Sequence, residues 1–295
     1  MKIRHHFASA AGVLILTALT ANSAWALPLD GSALSWTDRP IYELNDANID
    51  FGGIVALDDC SGSIVRFTTS QPNDKAMVLT NGHCYEGGFL QPGEVITNKD
   101  SGRTFDLLSA DATQVLGTLN ATRVLYATMT STDVTLYQLT STYADIARRY
   151  DIQPLTIAAQ HPTAGTAIRV VSGYWRKIYS CKIDGFVYEL KEDHWTFQDS
   201  IRYTEPGCDV VGGTSGSPII DAASGEVIGI NNTINENGEK CTFDNPCEVD
   251  KAGQITATRG TGYGQELSLF YGCLAQDGSL DLTRPQCLLP KPARL

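Results

Sequence analysis

One stretch of the chain places a serine in a setting suited to nucleophilic chemistry. Residues 212–218 read Gly-Gly-Thr-Ser-Gly-Ser-Pro, and two isoleucines follow. Ser215, between a loop and a strand, can hold its hydroxyl in the open while backbone N–H groups point the same way. Acyl transfer needs both features, because the Oγ must reach a carbonyl carbon and preorganised donors must meet the oxygen that becomes negative. A Gly/Ser-rich turn between two strands would explain the stretch equally well. The motif therefore needs partners elsewhere in the chain.

A histidine and an aspartate precede this serine in matching settings. His83 follows the apolar run 76–79 within Thr-Asn-Gly-His-Cys, which predicts a histidine at the end of a strand. Asp133 opens Thr-Asp-Val-Thr-Leu, where apolar residues alternate behind the carboxylate. His83 could take the proton of Ser215, because its pKa is ordinarily near neutrality. Asp133 could hold the imidazole in the required tautomer.

Alternatives exist for each role, and the sequence disfavours them. His161 precedes a proline in a linker and His194 lies in a charged stretch, so both are expected to be solvated. Asp111 and Asp145 lack the apolar alternation that follows Asp133. The Gly-x-Ser-x-Gly elbow of α/β-hydrolases would need glycine where Ser217 stands, and that fold orders its residues serine, acid, histidine.

In this order the three motifs resemble those of the chymotrypsin-like serine peptidases. That family has Thr-Ala-Gly/Ala-His-Cys, Asn-Asp-Ile-Ala-Leu and Gly-Asp-Ser-Gly-Gly-Pro. The variant Gly-Thr-Ser-Gly-Ser-Pro in this chain is similar to the bacterial V8-like branch. The three residues are spaced by 50 and then 82 positions, and the resemblance runs from about residue 53 to about residue 274.

The resemblance implies an all-β fold of two antiparallel six-stranded β-barrels, with the active site in the cleft between them. It implies a secreted serine endopeptidase with the triad His83, Asp133 and Ser215. The N–H groups of Gly213 and Ser215 would form the oxyanion hole. No metal and no organic cofactor are expected. The alternative from another class is a catalytically inactive peptidase fold used as a binding or adhesion module.

Substrate preference is the least determined property. Asp209 lies six residues before Ser215. At this offset trypsins carry the aspartate that selects Arg or Lys as the P1 residue, which is the residue on the amino side of the scissile bond. The cysteine that precedes Ser215 is seven residues away rather than four, so Asp209 facing water remains an equal alternative. Asn231, Asn232 and Thr233 resemble a pocket wall of V8-like enzymes, whose glutamate-specific members have histidine where Asn231 stands. We expect cleavage after Arg or Lys, with a small or polar P1 residue as the alternative.

The amino terminus has the composition of an export signal. Residues 1–26 begin with Lys2 and Arg4, contain a short apolar core, and end in Ala-Trp-Ala. We expect a secreted or periplasmic protein without a membrane anchor, and residues 27–52 as an N-terminal arm or propeptide. The leader contains two bases and no acid, so its removal changes the net charge from −11 to −13. This charge disfavours nucleic acid as a partner and leaves protein or peptide substrates; the protein is expected to be a monomer.

Eight cysteines in an exported chain predict four disulfides, although 105 pairings are possible. Nearest-neighbour pairing is the expectation, and for the first pair the family resemblance supports it. A zinc site is disfavoured, because there is no Cys-x-x-Cys spacing and only three histidines follow the leader. The expected pairs are Cys60 with Cys84, Cys181 with Cys208, Cys241 with Cys247, and Cys273 with Cys287.

Short apolar runs separated by turn residues predict antiparallel strands throughout. The first barrel is expected at 53–150, and the second barrel at 151–295 with a disulfide-bonded tail. A short helix or turn is predicted at 142–150, a linker at 154–165, and a decorative surface loop at 235–253. The predicted strands are 63–67, 76–80, 94–97, 104–108, 114–119, 122–126, 134–139, 167–171, 186–190, 200–203, 218–221, 226–230, 254–257 and 265–270.

Overall fold

The computed structural model describes residues 49–203 and 208–293. The predicted leader, 1–26, and the predicted arm up to residue 48 lie outside this range, so both remain expectations. None of the helices in the described ranges is long and apolar enough to cross a membrane.

Strands dominate the described part of the chain. The elements are β1 Ile54–Ala56, β2 Ser61–Arg66, β3 Lys75–Thr80, β4 Val95–Asp100, β5 Thr104–Leu108, β6 Val115–Thr128, β7 Val134–Thr142, α1 Tyr143–Tyr150, β8 Leu155–Thr156, β9 Ala167–Ser172, β10 Lys177–Lys182, β11 Gly185–Glu192, β12 Trp195–Tyr203, β13 Pro218–Asp221, β14 Val227–Ile234, β15 Cys247–Val249, β16 Ile255–Thr256, β17 Gly262–Glu266 and α2 Leu269–Gly272. The predicted all-β class is confirmed, and the short helix predicted at 142–150 is α1.

Six strands of the first half close into a barrel in the order β1, β5, β6, β7, β3, β2, with β2 returning to β1. Neighbours in this ring are antiparallel, β4 pairs with β6 outside it, and β8 adds a short parallel pair to β2. Ile64, Leu79, Tyr126 and Leu136 are fully buried in its core. Burial of alternating apolar side chains of this kind is what the strand periodicity predicted.

Strand β6 differs from the sequence prediction. The segments 114–119 and 122–126 were expected to be two strands, and they form the single strand Val115–Thr128. Asn120 does not end the strand, because it remains paired with Thr104 of β5. Register shifts near Arg123 and Tyr126 mark irregularities in its pairing with β7. Bulges of this type let one long strand bend around a barrel and pair with several neighbours.

The second half forms one antiparallel sheet of nine strands in the order β10, β9, β13, β14, β17, β12, β11, β15, β16. It is larger than the six strands expected, with β15 and β16 added at one edge. The strand predicted at 265–270 is instead Gly262–Glu266. Gly262 and Gly264 allow close packing in this strand, because a Cβ would lie 2.6 Å from the Tyr203 ring at Gly262 and 2.3 Å from Ile219 at Gly264.

The C-terminal tail packs on the first barrel, although the sequence analysis grouped it with the second. Phe270 contacts Phe67 and Tyr126, with ring centroids 6.0 and 6.1 Å apart. The Tyr126 hydroxyl donates to the carbonyl of Pro290 at 3.0 Å. Burial of these rings explains the attachment, since aromatic side chains contribute large apolar areas.

All four expected disulfides are present. The bonds join Cys60 to Cys84, Cys181 to Cys208, Cys241 to Cys247, and Cys273 to Cys287. Such bonds persist in oxidising compartments, so they fit an extracellular or periplasmic protein.

Candidate active site

The segment after β3 brings His83 against Asp133. The His83 ring Nδ1 lies 2.8 Å from Asp133 Oδ2, and the backbone N–H of His83 donates to Oδ1 at 3.0 Å. Gly82 permits this approach, because a Cβ there would lie 2.1 Å from the carbonyl oxygen of Thr128. Asp133 is buried, whereas the His83 side chain is 18% exposed. A carboxylate at Nδ1 favours the tautomer protonated there, which leaves Nε2 free to accept a proton.

Opposing effects act on the pKa of His83. Burial lowers it, but the negative charge of Asp133 and its hydrogen bond to the ring more than offset that effect. The pKa of His83 is therefore raised above its ordinary value of 6.5, with a further contribution from Glu192. A histidine that acts as a general base must be neutral, so His83 could act as one only above this raised pKa.

Ser215 and His83 line the same cavity, but the serine hydroxyl does not yet bind the imidazole. Ser215 Oγ donates to the carbonyl of Asn232 at 3.3 Å. Within the described residues, Ser215 Oγ makes no hydrogen bond to His83. Hydrogen bonds between catalytic groups are often absent before substrate binds, and a serine hydroxyl can change its acceptor by a change of rotamer.

Two backbone N–H groups beside Ser215 are free to bind a ligand. The N–H of Thr214 donates to the carbonyl of Val211 at 3.0 Å, and Gly213 has a φ of +86°. This combination is typical of a type II turn, which favours glycine at its third position. In the described part of the chain, the N–H groups of Gly213 and Ser215 donate to no protein acceptor. These are the donors that the sequence predicted for an oxyanion hole.

Asn81 links the two halves of the site, and the sequence analysis missed it. Its Nδ2 donates to the backbone carbonyl of Asp133 at 2.8 Å, and its Oδ1 accepts the N–H of Gly216 at 2.5 Å. Ser61 adds a second link, because its N–H donates to the carbonyl of Ser215 at 2.7 Å. The signal for Asn81 was its place in Thr-Asn-Gly-His-Cys, two residues before His83. A buried amide that is satisfied on both sides fixes the two motifs relative to each other.

The competing acids and histidines have other roles. Asp145 caps α1, where its carboxylate accepts the N–H of Thr142. Asp111 binds residues of its own turn. His161 pairs with Asp199 at the surface, and His194 contacts the neighbouring aspartate.

The residues of the predicted triad lie in one cleft, with an empty volume of about 590 Å³ that is partly open to solvent. Both acidic and aromatic side chains contribute to its walls. Besides His83, Asp133 and Ser215 the lining includes Phe89, Met129, Glu192, Trp195, Phe197, Val210, Val211, Gly212, Thr214, Asn231, Asn232, Thr233, Ile234, Glu236, Phe243 and Asp244.

Asp209 is not the floor of this cleft, which corrects the expectation from its offset. It is exposed, and it is not among the residues that line the cavity. Its charge instead acts on Tyr179, the pKa of which is raised by burial and, to a lesser degree, by Asp209. The prediction from the trypsin offset was wrong for Asp209. The altered cysteine spacing explains this, because the loop before Ser215 is built differently from that of trypsins. Val210 lines the cleft in its neighbourhood.

The three predicted wall residues do line the cleft, but two of them are engaged by the protein. The Asn231 amide binds Tyr203 and Thr214, and Thr233 Oγ1 donates to Glu192 at 3.1 Å. Asn232 differs, because its buried Nδ2 has no hydrogen-bond partner within the described residues. An unpaired buried donor at a cavity wall is suited to a polar group of a ligand.

Three carboxylates of the cleft, Glu192, Glu236 and Asp244, were missed by the sequence analysis. Glu192 is 8% exposed and accepts the N–H of Asp244 at 2.9 Å. Burial raises the pKa of Glu192 to about 7, against smaller lowering effects of Thr233 and His83. Glu192 lies in the same charged stretch as His194, and at the end of β11 it pairs with Trp195 of β12.

The loop at 235–253 is part of the site, which corrects the expectation of a decorative loop. Phe243 stacks on Phe89 with ring centroids 5.8 Å apart, and Phe89 lies 5.8 Å from the His83 ring. Both phenylalanines are almost half exposed. Exposed aromatic side chains that flank a cleft are typical of a surface that binds peptide.

No metal centre fits the described residues. The group with suitable spacing is Cys60, His83 and Cys84, whose ligand atoms lie within 4.8 Å of one another. Both sulfurs are consumed by the disulfide, so neither can act as a thiolate ligand.

Replacing Glu192 by glutamine is expected to extend activity to lower pH. The charged form of Glu192 raises the pKa of His83, but burial raises the pKa of Glu192 itself to about 7, so Glu192 is only partly charged along the acid limb. Its replacement should therefore shift the acid limb of kcat/KM down by at most a few tenths of a pH unit. Glu189→Gln on the same strand is the matched control, because Glu189 lies outside the cleft lining. The pH profile of kcat/KM decides, and an upward shift or none would contradict the electrostatic coupling.

The barrel, the second sheet and this cleft define the chymotrypsin-like fold. Residues 60–230 match the family described as "Trypsin-like peptidase domain", which is more than half of the chain. The chain therefore belongs to the trypsin-like peptidase domain family, and it is a peptidase. Comparison with curated protein sequences finds no match.

Solved structures similar to this chain are bacterial proteases. The MamO protease domain from Magnetospirillum magneticum is 12% identical, with a TM-score of 0.47, over 78% of this chain and 99% of that one. The active form of Rv3671c protease from M. tuberculosis is 18% identical, with a TM-score of 0.46, over 77% and 80% of the two chains. Protease Anisep from Arthrobacter nicotinovorans is 15% identical, with a TM-score of 0.44, over 75% and 92%.

Proposed function

We propose that the protein is an exported serine endopeptidase that uses His83, Asp133 and Ser215. The observation that carries the proposal is the buried Asp133 bound to His83 in the same cleft as Ser215. A structural role alone does not explain why a buried carboxylate binds a partly exposed histidine in the same cleft as a serine whose hydroxyl makes one long hydrogen bond, at 3.3 Å. Catalysis through an imidazolium explains all three features.

The chemistry follows from the groups present. Ser215 Oγ attacks the peptide carbonyl carbon while His83 Nε2 takes its proton, and Asp133 stabilises the imidazolium that forms. The carbonyl oxygen becomes an oxyanion and accepts the N–H groups of Gly213 and Ser215. The C–N bond then breaks, and His83 returns the proton to the leaving amine. Water attacks the acyl ester by the same route in reverse and regenerates the Ser215 hydroxyl.

A binding module with this fold is the second candidate. It would need the aromatic and acidic walls of the cleft, but it would not need a histidine held by a buried aspartate. Nor would it need two unpaired N–H groups beside a serine. The retention of these features favours an enzyme.

Several finer properties are part of the proposal. The leader predicted at 1–26 and the four disulfides support export to the periplasm or the medium. The motif Gly-Thr-Ser-Gly-Ser-Pro supports a place in the V8-like branch. A net charge of −11 for the whole chain favours protein or peptide substrates over nucleic acid, and we expect a monomer without a membrane anchor.

The proposed preference is cleavage after Arg or Lys, that is, Arg or Lys as the P1 residue. Asp209 no longer supports this preference, whereas Glu192, Glu236 and Asp244 do, because they line the cleft itself. Carboxylates in a partly desolvated site attract guanidinium or ammonium groups. A small or polar P1 residue remains the alternative, since the buried Nδ2 of Asn232 at the cleft wall has no hydrogen-bond partner among the described residues.

A library of peptides with many internal peptide bonds tests the endopeptidase activity and the P1 preference together. Mass spectrometry of the products should show internal cleavage by the wild type, concentrated beside Arg or Lys. The Glu192→Gln variant should lose part of that preference, and Asp209→Ser should keep it. Cleavage only after small residues would refute the basic preference, and no cleavage of any peptide would refute the activity.

The disulfide Cys241–Cys247 is expected to matter for binding more than for stability. It closes the shortest of the four loops, so replacing both cysteines by serine should cost about 2 kcal/mol of unfolding free energy. The loop holds Phe243 in the cleft wall, so KM should rise several-fold while kcat changes little. Thermal unfolding and steady-state kinetics measure both.

The matched control is the double serine variant of Cys273 and Cys287. That bond closes a longer loop in the tail, so its loss should cost about 3 kcal/mol and leave KM unchanged. Equal effects of the two variants on KM would contradict a role of the shorter loop in substrate binding.

A further inference from the structure

The carbonyl oxygen of Gly212 accepts a hydrogen bond from the indole Nε1 of Trp175 at 2.7 Å. Trp175 lies in the turn between β9 and β10, its residue is 50% exposed, and it is not part of the cleft lining. We propose that Trp175 is a positioning residue that holds the Gly212–Gly213 peptide unit with its N–H directed at the substrate oxyanion. The inference rests on the proposed function and adds a residue to it.

The direction of the Gly213 N–H follows from that of the Gly212 carbonyl. In a trans peptide unit the C=O and the N–H point in opposite directions, so fixing the oxygen fixes the donor. Trp175 holds the oxygen, and the Gly213 N–H has no acceptor among the described residues. A main-chain donor without an internal partner is available to a ligand.

The second donor is held in a different way. The Ser215 N–H belongs to the peptide unit whose carbonyl is that of Thr214, and this carbonyl accepts the N–H of Ser217 at 3.1 Å. One donor is therefore oriented by the local backbone, whereas the other depends on a side chain from a distant strand pair. Trp175 is 37 residues from Gly212 in sequence.

The unit held by Trp175 lies between two glycines, and a Cβ built on Gly212 would meet no atom within 4 Å. Glycine populates both signs of φ, so the backbone dihedral angles of Gly212 and Gly213 permit this unit to rotate. Rotation would turn the Gly212 oxygen towards the cleft and remove the donor. A single hydrogen bond to the Gly212 oxygen can therefore determine how large a fraction of molecules has the Gly213 N–H directed into the cleft.

Trp175 is itself fixed by its surroundings. Its backbone N–H donates to Ser172 Oγ at 3.2 Å, and the backbone N–H of Tyr174 donates to Ser61 Oγ at 3.1 Å. The Tyr174 and Trp175 rings meet edge to face at 4.9 Å. Both rings pack against Gly213, where a Cβ would lie 2.7 Å from the Tyr174 ring and 3.0 Å from the indole nitrogen. The donor is thus held in place before any substrate arrives.

The test is the variant Trp175→Phe, which keeps an aromatic ring and removes the N–H donor. Loss of a whole oxyanion donor costs about 10²–10³ in kcat, so loss of its orientation should cost about tenfold. KM should stay within about twofold. The affinity for a peptide boronic acid should fall by the same factor as kcat, because an oxygen of its tetrahedral adduct occupies the oxyanion hole. The control Tyr188→Phe changes an exposed aromatic residue on β11 and should alter none of these values.

Each outcome is decisive. Unchanged kcat and boronic acid affinity in Trp175→Phe would overturn the inference, as would a rise in KM alone with unchanged boronic acid affinity. Wild-type protein that neither cleaves peptides nor binds the boronic acid would overturn the proposed function and this inference with it. An active wild type with an unaffected variant would overturn the inference alone.

Discussion

Replacing Ser215 by alanine is expected to lower kcat for peptide hydrolysis by about 10⁶-fold. The variant loses the attacking oxygen but keeps Asp133, His83 and the two free N–H groups. The fold should persist, because Ser215 Oγ makes one weak contact, to the carbonyl of Asn232 at 3.3 Å. Steady-state kinetics and thermal unfolding on the same preparation test both statements.

Ser217→Ala is the matched control for that experiment. Ser217 lies two residues away, and its buried hydroxyl has no hydrogen-bond partner in the described part of the chain. Removing it should therefore leave both activity and stability nearly unchanged. Activity close to wild type in Ser215→Ala, or an equal loss in the two variants, would contradict the assignment of the nucleophile.

Replacing Asp133 by asparagine is expected to lower kcat by about 10⁴-fold with little change in fold. Asp133 Oδ1 accepts the backbone N–H of His83, so the amide oxygen should keep that place and the amide nitrogen should face the ring. The ring nitrogen Nδ1 must then accept a hydrogen bond, which moves its proton to Nε2. Protonated Nε2 cannot take the proton of Ser215. Kinetics at a pH above the acid limb measure the loss.

A surface aspartate–histidine pair provides the control. Asp199 Oδ2 lies 3.0 Å from His161 Nε2, and both side chains are substantially exposed. Asp199→Asn makes the same chemical change without touching the cleft, so kcat should not change. If Asp133→Asn retained kcat within tenfold of wild type, His83 would not depend on that carboxylate.

The sequence was sufficient to predict candidate residues that each stand in a short local motif. His83, Asp133 and Ser215 each stand at the junction of a strand and a loop, and local patterns are sufficient to recognise such junctions. The disulfides were also predicted, because each joins neighbouring cysteines. The closed first barrel followed from the periodicity of its strands.

Properties that depend on how distant segments meet could not be predicted. Asp209 has the offset of a pocket residue, but the loop that carries it turns its side chain to solvent. Glu192 is in a charged stretch and is nevertheless buried, where it accepts hydrogen bonds from Thr233 Oγ1 and from the N–H of Asp244. Trp175 reaches Gly212 from another strand pair, and no local pattern encodes that contact. The strand expected at 265–270 lies at Gly262–Glu266, because Gly262 and Gly264 allow close packing inside a sheet that no local pattern indicates.

The central claim is that Ser215 is the nucleophile, and chemical labelling tests it most directly. The protein is treated with a serine-directed fluorophosphonate, digested, and the adduct is located by mass spectrometry. We predict one adduct per molecule, on Ser215, with hydrolysis lost in proportion to labelling. An adduct on another residue, or unlabelled Ser215 in a protein that still cleaves peptides, would contradict the account.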